Sequence, residues 1–268
     1  MPDPVMYPEP RHVGLINWIG LWTLYAKEVQ RFVKVAGQTV LAPIITTLLF
    51  LAIFQLALGE GRPPVGAIPF EVFLAPGLVM MAVTQNAFAN SSSALMISKI
   101  QGNIVDVLMP PISAGELLVA YVAASVTRGA AVAVAVTLAM MPFVSIPFSA
   151  PGWAVLFIIL ASSMMGLIGV MTGLWADKFD HLAFITNFVI TPLAFLSGTF
   201  YSITRLPEFA QGIAHVNPFF FAIDGFRHAL VGQGDTSLGL GAAVLAGINV
   251  VLFMAALQLI RRGYNLKA

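Results

Sequence analysis

Charge is scarce in this chain. Its 268 residues include 13 Lys and Arg and 12 Asp and Glu, most of them outside the long apolar runs. A soluble protein of this length needs a charged outer face, and these residues cannot build one. Cysteine is absent, which excludes disulfides, iron–sulfur clusters and thiol nucleophiles. Alternating ten-residue strands are missing, which argues against an outer-membrane barrel. The first 34 residues lack a compact apolar core followed by a small-residue cleavage site, so no cleavable signal peptide is expected.

Chemical motifs are equally sparse. There is no Gly-x4-Gly-Lys-Ser/Thr loop to hold a nucleotide phosphate, no His-Glu-x-x-His and no Gly-x-Ser-x-Gly. His12, His181, His215 and His228 are scattered among interface positions. An intramembrane enzyme is therefore disfavoured, and no metal site is expected. An ion-coupled secondary transporter is the main rival reading. It would need a carboxylate near mid-membrane, whereas Asp and Glu here lie at span ends or in loops.

What the chain does have is apolar length. Hydrophobic residues make up 59% of it and the mean hydropathy is +0.90. In hydrocarbon the backbone must bond within its own segment, so runs of about 20 apolar residues read as spanning helices. Six are expected: Gly37–Leu58, Phe70–Ile97, Leu117–Phe143, Trp153–Trp175, Leu182–Phe200 and Leu238–Ile260. The fold class is all-α, a polytopic membrane protein with a 1–34 N-terminal segment and a 35–268 spanning domain.

Six spans place both termini on one side. That side holds Arg11, Lys27, Arg31, Lys34, Lys99, Lys178, Arg261, Arg262 and Lys267, and the other only Arg62, Arg205 and Arg227. The positive-inside rule puts both termini in the cytoplasm. Ahead of the first span, Trp18, Trp22 and Tyr25 share one helical face and precede Lys27, Glu28, Arg31 and Lys34. This reads as an amphipathic interfacial helix or, more simply, an anchor before the first span.

Polar residues inside spans are costly, so each needs a partner. Asn86, Asn90 and Ser93 share a face of the second span at i, i+4, i+7. They either line a path or bond a neighbouring helix. Arg128 lies mid-way along the third span, where insertion costs about 2.5–3.5 kcal/mol. It should pair with carbonyls or with a carboxylate such as Asp224, or else contact substrate. Ser162, Gly166, Gly169 and Gly173 form a small-residue stripe that permits close helix approach, to this chain or to another copy.

Two connections are too patterned for bare linkers. In 98–116, Ile100, Ile104, Val107 and Leu108 make an apolar helical face with Gln101, Asn103 and Asp106 off it. Pro110-Pro111 stops that helix, and Ser113 with Glu116 has capping-box spacing. The face either docks a soluble partner or packs on its own bundle. In 201–237, aromatic density points to short re-entrant helices starting at Pro207 and Pro218, the second capped by Asn217.

These stretches together resemble the membrane permease of an ABC type 2 exporter, in the branch of bacterial drug-efflux-like and nodulation-factor export permeases. The similarity runs through Ala26-Lys-Glu-Val-Gln-Arg-Phe32, Ala75-Pro-Gly-Leu-Val-Met-Met81, Asn86-Ala-Phe-Ala-Asn90, Lys99-Ile-Gln-Gly-Asn-Ile-Val-Asp106, Lys178-Phe-Asp180, Gly198-Thr-Phe-Tyr-Ser202, Asn217-Pro-Phe219 and Gly225-Phe-Arg227. It implies a homodimer in the bacterial inner membrane, in contact with lipid and not with nucleic acid, bound to two cytoplasmic ATPase subunits. ATP and magnesium would sit on those partners, and this chain would hold no cofactor. Lys99, Gln101, Ile104, Asp106 and Leu108 would contact the ATPase, with Lys178 and Asp180 as a second contact and Glu28 and Arg31 from the N-terminal helix. The second and fifth spans would line the path through Asn86, Asn90, Ser93, Asn187 and Phe195. Phe219, Phe220 and Phe221 would close it on the outer side. The substrate expected is an amphiphile: a lipid, a glycolipid or a hydrophobic drug.

Overall fold

A computed structural model describes residues 14–58, 68–203, 207, 211, 212, 214 and 216–265. The expected helix start at Pro207 lies largely outside them, as do Arg11, Arg62, Arg205, Lys267, His12 and His215. Among the described residues the chain is helical and has no strand. Helix α1 is Trp18–Lys34. Helix α2 opens as a π-helical turn, Gly37–Leu41, and continues as Ala42–Leu58. Then come α3 (Phe70–Ile100), the short α4 (Ile104–Leu108), α5 (Ala114–Met140) and α6 (Pro151–Trp175). Helix α7 runs from Phe179 to Phe195 with a π-helical middle, Thr186–Ile190. Helices α8 (Pro218–Val231) and α9 (Leu238–Arg261) complete the fold.

Five of these helices are long and apolar enough to cross a bilayer: α2, α3, α5, α6 and α9. The fifth expected span, 182–200, is shorter and shifted. Helix α7 ends at Phe195, and Ser197–Phe200 form a turn around Gly198 at φ 72°. At 1.5 Å per residue α7 reaches about 25 Å, less than the roughly 30 Å of hydrocarbon. Proline also leaves a mark on two helices. Both π turns end two residues before a proline, Pro43 in α2 and Pro192 in α7. A proline ring has no N–H and crowds the carbonyl four residues back, and the widened turn relieves that clash.

Helix α3 is the axis of the bundle and is covered on nearly every side by α5, α6 and α8. Its residues Leu74, Leu78 and Met80 join Phe157, Met164 and Met165 of α6 and Phe219, Phe220 and Phe226 of α8 in one core. Helices α2 and α9 flank this centre and leave most of their length exposed. Small residues set the α3–α6 spacing. A Cβ on Gly169 would lie 2.6 Å from the Phe88 carbonyl oxygen, and one on Gly173 would lie 2.9 Å from Leu95 Cβ. Gly166 is equally close to Ser125 of α5, and its carbonyl accepts from Ser91 Oγ at 2.7 Å. The stripe therefore packs within this chain.

Capping fixes the ends. Ser113 and Glu116 form the expected capping box on α5. Asn217 Oδ1 accepts from the Phe219 amide at the start of α8, with Pro218 in its first turn. Helix α1 presents Trp18 and Trp22 outward and lays Leu24, Glu28 and Phe32 inward, packing along α5.

Candidate functional site

The polar face of α3 meets two arginines. Helix α1 buries a stripe at 24, 28 and 32, which turns Glu28 and its i+3 neighbour Arg31 toward the bundle. Arg31 Nε donates to Glu28 Oε2 at 2.8 Å, Nη2 to the Asn90 carbonyl at 2.7 Å and Nη1 to Ser93 Oγ at 3.2 Å. Asn90 Nδ2 in turn donates to Ser125 Oγ of α5 at 3.4 Å. Further along, Arg128 Nη2 donates to Asn86 Oδ1 at 2.9 Å, while Asn86 Nδ2 bonds the Ala82 carbonyl at 3.0 Å. Asn86, Asn90 and Ser93 thus do share a face, and its partners are α1 and α5.

These groups border a cleft of about 560 Å³ between α1, α2, α3 and α5. Gln38, Thr39, Thr46 and Thr47 of α2 line one wall, and Gln85, Asn86 and Ser93 of α3 the other. Phe50, Leu78 and Met81 close its far end. The expected alternative for Arg128, a bond to Asp224, is not formed. Asp224 instead accepts from the amides of Asp235 and Thr236, each at 2.8 Å, and from Thr236 Oγ1 at 2.6 Å.

One expectation about this region needs correction. Glu28 and Arg31 were expected on the ATPase-facing surface, but Glu28 is 2% exposed and Arg31 is directed at α3. Position 28 falls in the middle of the buried 24–28–32 stripe, a spacing visible in the sequence. Glu28, Glu116 and Asp224 are buried, and they lie in α1, in the first turn of α5 and in α8, none of them midway along a spanning helix. Each is engaged: Glu28 by Arg31, Glu116 by the Asn17 and Ser113 amides, Asp224 by Asp235 and Thr236.

Asn187 and Phe195 do not join the cleft. Asn187 is exposed on α7 beside Phe188, which stacks on Phe184 at 5.1 Å, and Phe195 is exposed at the end of α7 and stacks on Phe200 at 5.3 Å. Phe219, Phe220 and Phe221 are core side chains rather than a free aromatic plug. The end of the bundle near α8 is held by Arg227, to which the sequence assigned no role. Its Nη2 donates to the Gly198 carbonyl at 2.7 Å, its Nε to the Phe73 carbonyl at 3.1 Å, and its guanidinium lies 3.8 Å from the Phe73 ring centre.

At the opposite end of the bundle, the apolar face drawn on 98–116 divides. Ile104 and Val107 turn inward beside Leu24, whereas Ile100, Val105, Leu108 and Met109 are exposed. The reason is the turn at Gly102, φ 71°, which ends α3 and restarts the helix on a new axis. Lys99 is also turned in, donating to the carbonyls of Leu174 at 2.9 Å and Ala176 at 2.6 Å. That contact brings the 101–113 and 176–178 connections to one end, where Gln101, Asp106, Leu108, Lys178 and Asp180 are exposed. A groove of about 620 Å³ runs there between the start of α1 and Asp106–Ile112.

Comparison with known proteins matches the profile "ABC-2 type transporter" to residues 20–231. The inner membrane transport permease YadH of Escherichia coli (strain K12) is 35% identical over 255 residues, covering 94% of this chain and 99% of that protein. Nodulation protein J of Neorhizobium galegae is 26% identical, covering 93% and 94%, and that of Rhizobium meliloti (strain 1021) is 26% identical, covering 92% and 93%. With an all-helical bundle of five apolar helices long enough to span and near end-to-end likeness to these permeases, the chain belongs to the ABC-2 type transporter family.

Proposed function

We propose that this chain is the membrane-spanning subunit of an ABC exporter in the bacterial inner membrane, with both termini cytoplasmic. It works as a homodimer and moves an amphiphile outward. Energy comes from ATP hydrolysed, with magnesium, on two separate ATPase subunits gripping its inner end. The likeness to YadH over almost the full length of both chains carries this reading. The exposed Gln101, Asp106 and Leu108 beside Lys178 and Asp180 support it, since they make a mixed apolar and charged surface where two connections converge. Nucleotide binding closes the ATPases, α4 moves with them, and α1 to α3 rearrange around the cleft. Such gating needs an element with two packings, and the π turns at Gly37–Leu41 and Thr186–Ile190 are the joints that supply it.

The rival, an ion-coupled carrier, needs a buried carboxylate free to take up and release its ion. Glu28 is the closest to that description, and it is tied to Arg31. Co-expression of the chain with an ABC ATPase tests the proposal. Co-purification with stimulated ATP hydrolysis is expected, and an ATPase neither retained nor stimulated would refute it.

A further inference from the structure

Arg128 sits in the cleft with its charge uncompensated. Nη2 reaches Asn86, but Nε is buried with no hydrogen-bond partner. The ion pairs among the described residues are Arg31–Glu28 and Lys99–Asp177, so no carboxylate among those residues neutralises Arg128. Of the two arginines lining the cleft, Arg31 is paired with the buried Glu28 behind it, and Arg128 is left as one positive charge. An arginine halfway along the 27-residue α5 stands about 20 Å from that helix's start, too far to reach either water boundary by extending its side chain. A charge so placed is expensive unless something negative comes to it.

The walls say what shape that partner has. Moving from the α1 end along α2, the lining passes from Gln38 and Thr39 through Thr46 and Thr47 to Phe50. Along α3, running the other way, it passes from Ser93 through Asn86 and Gln85 to Met81 and Leu78. Ala42 and Pro43 on α2 and Ala89 and Ala82 on α3 interleave with these, and both walls end in bulky apolar side chains at the same end, Phe50 facing Leu78 and Met81. Val35, 49% exposed, marks where the cleft opens to the outside of the bundle next to Arg31.

We infer that this cleft binds an amphiphile with an anionic headgroup, the anion held by Arg128 with Asn86 and Gln85, and the apolar chain lying toward Phe50 and Leu78. The inference deepens the export reading by naming the charge class of its cargo, and it rests on that reading only for the word cargo. The binding itself requires no ATPase.

Binding by the purified full chain in detergent tests it, read by native mass spectrometry without ATP or ATPase. The probes are dioleoylphosphatidylglycerol, dioleoylphosphatidylcholine and inorganic phosphate. Retention of the glycerol lipid over the choline lipid is expected, with affinity falling about tenfold in Arg128→Gln (about 1.4 kcal/mol) and held in Arg128→Lys. Asn86→Asp, which places a carboxylate beside Arg128, should erase the preference while leaving the arginine in place. It covers the case in which Arg128→Gln fails to fold. Equal retention of both lipids, or an undiminished preference in folded Arg128→Gln or Asn86→Asp, overturns the inference. Displacement of the glycerol lipid by phosphate at matching concentration would assign the site to a soluble anion and overturn the amphiphile. Each of these failures leaves ATPase stimulation untouched, so the two readings fall separately.

Discussion

The Lys99 ammonium, on the last turn of α3, lies 2.6 Å from the carbonyl oxygen of Ala176, the residue that caps the C-terminus of α6. It also reaches the Leu174 carbonyl at 2.9 Å. A helix leaves its last carbonyls without partners and carries partial negative charge at that end. Lys99 supplies both the donors and the opposite charge, which locks the C-terminal ends of α3 and α6 together. A lysine expected to face a partner protein is instead a brace. Lys99→Ala should lower stability by about 1.5–3 kcal/mol, the range for a hydrogen bond to a charged group. Thermal unfolding in detergent reads this directly.

The same corner has a pH dependence. Asp177 Oδ1 accepts from Asn265 Nδ2 at 2.7 Å and lies 3.6 Å from Lys99 Nζ. The Asn265 amide first, and Lys99 after it, hold the Asp177 carboxyl below its ordinary value. A depressed carboxyl contributes stability above the ordinary carboxylate range and loses it as pH falls through the lowered value. The group is exposed, so the effect is small. Melting curves from neutral to acid pH should show a slight acid-side loss that Asn265→Ala reduces.

Gly169 tests the closeness of α3 and α6. An added methyl would meet the Phe88 carbonyl at 2.6 Å, a backbone atom that cannot swing away. Gly169→Ala should destabilise the chain by about 1–3 kcal/mol, the usual cost of overpacking. Gly247 has nothing within 4 Å of the same added atom, and Gly247→Ala should cost nothing of this kind. Comparing the two melting temperatures isolates packing from the general effect of replacing glycine.

On the proposed docking surface, Asp106→Arg and Leu108→Asp should abolish retention of the ATPase while the chain still inserts. Both side chains are exposed, so neither change disturbs the core. Pull-down of a co-expressed ATPase, normalised to the amount of chain in the membrane, checks this. Retention unchanged in both variants would remove α4 from the docking surface.

The long spans were legible because hydrocarbon demands long apolar runs, and α2, α3, α5, α6 and α9 supply them. Caps at Ser113 and Asn217 were legible for a similarly local reason. The fifth span was misjudged because its composition stays apolar to Phe200 while its backbone stops at Phe195, ahead of Gly198. What lies opposite a polar face is not local information. Asn86, Asn90 and Ser93 could be placed on one side of α3, yet only the fold brings Arg31 and Arg128 to them. Glu28 is buried because α1 carries two faces, the aromatic one at Trp18 and Trp22 and an inward stripe at 24, 28 and 32, and a charged residue on the second gains its partner only in the fold. The gate phenylalanines were misplaced because an aromatic belt and an aromatic core have the same composition.

Transport in sealed vesicles tests the central claim most directly. With the chain and its ATPase reconstituted together, uphill movement of an amphiphile should require ATP and should cease when the ATPase is omitted. Uphill movement by the chain alone, driven by an ion gradient, would contradict the account.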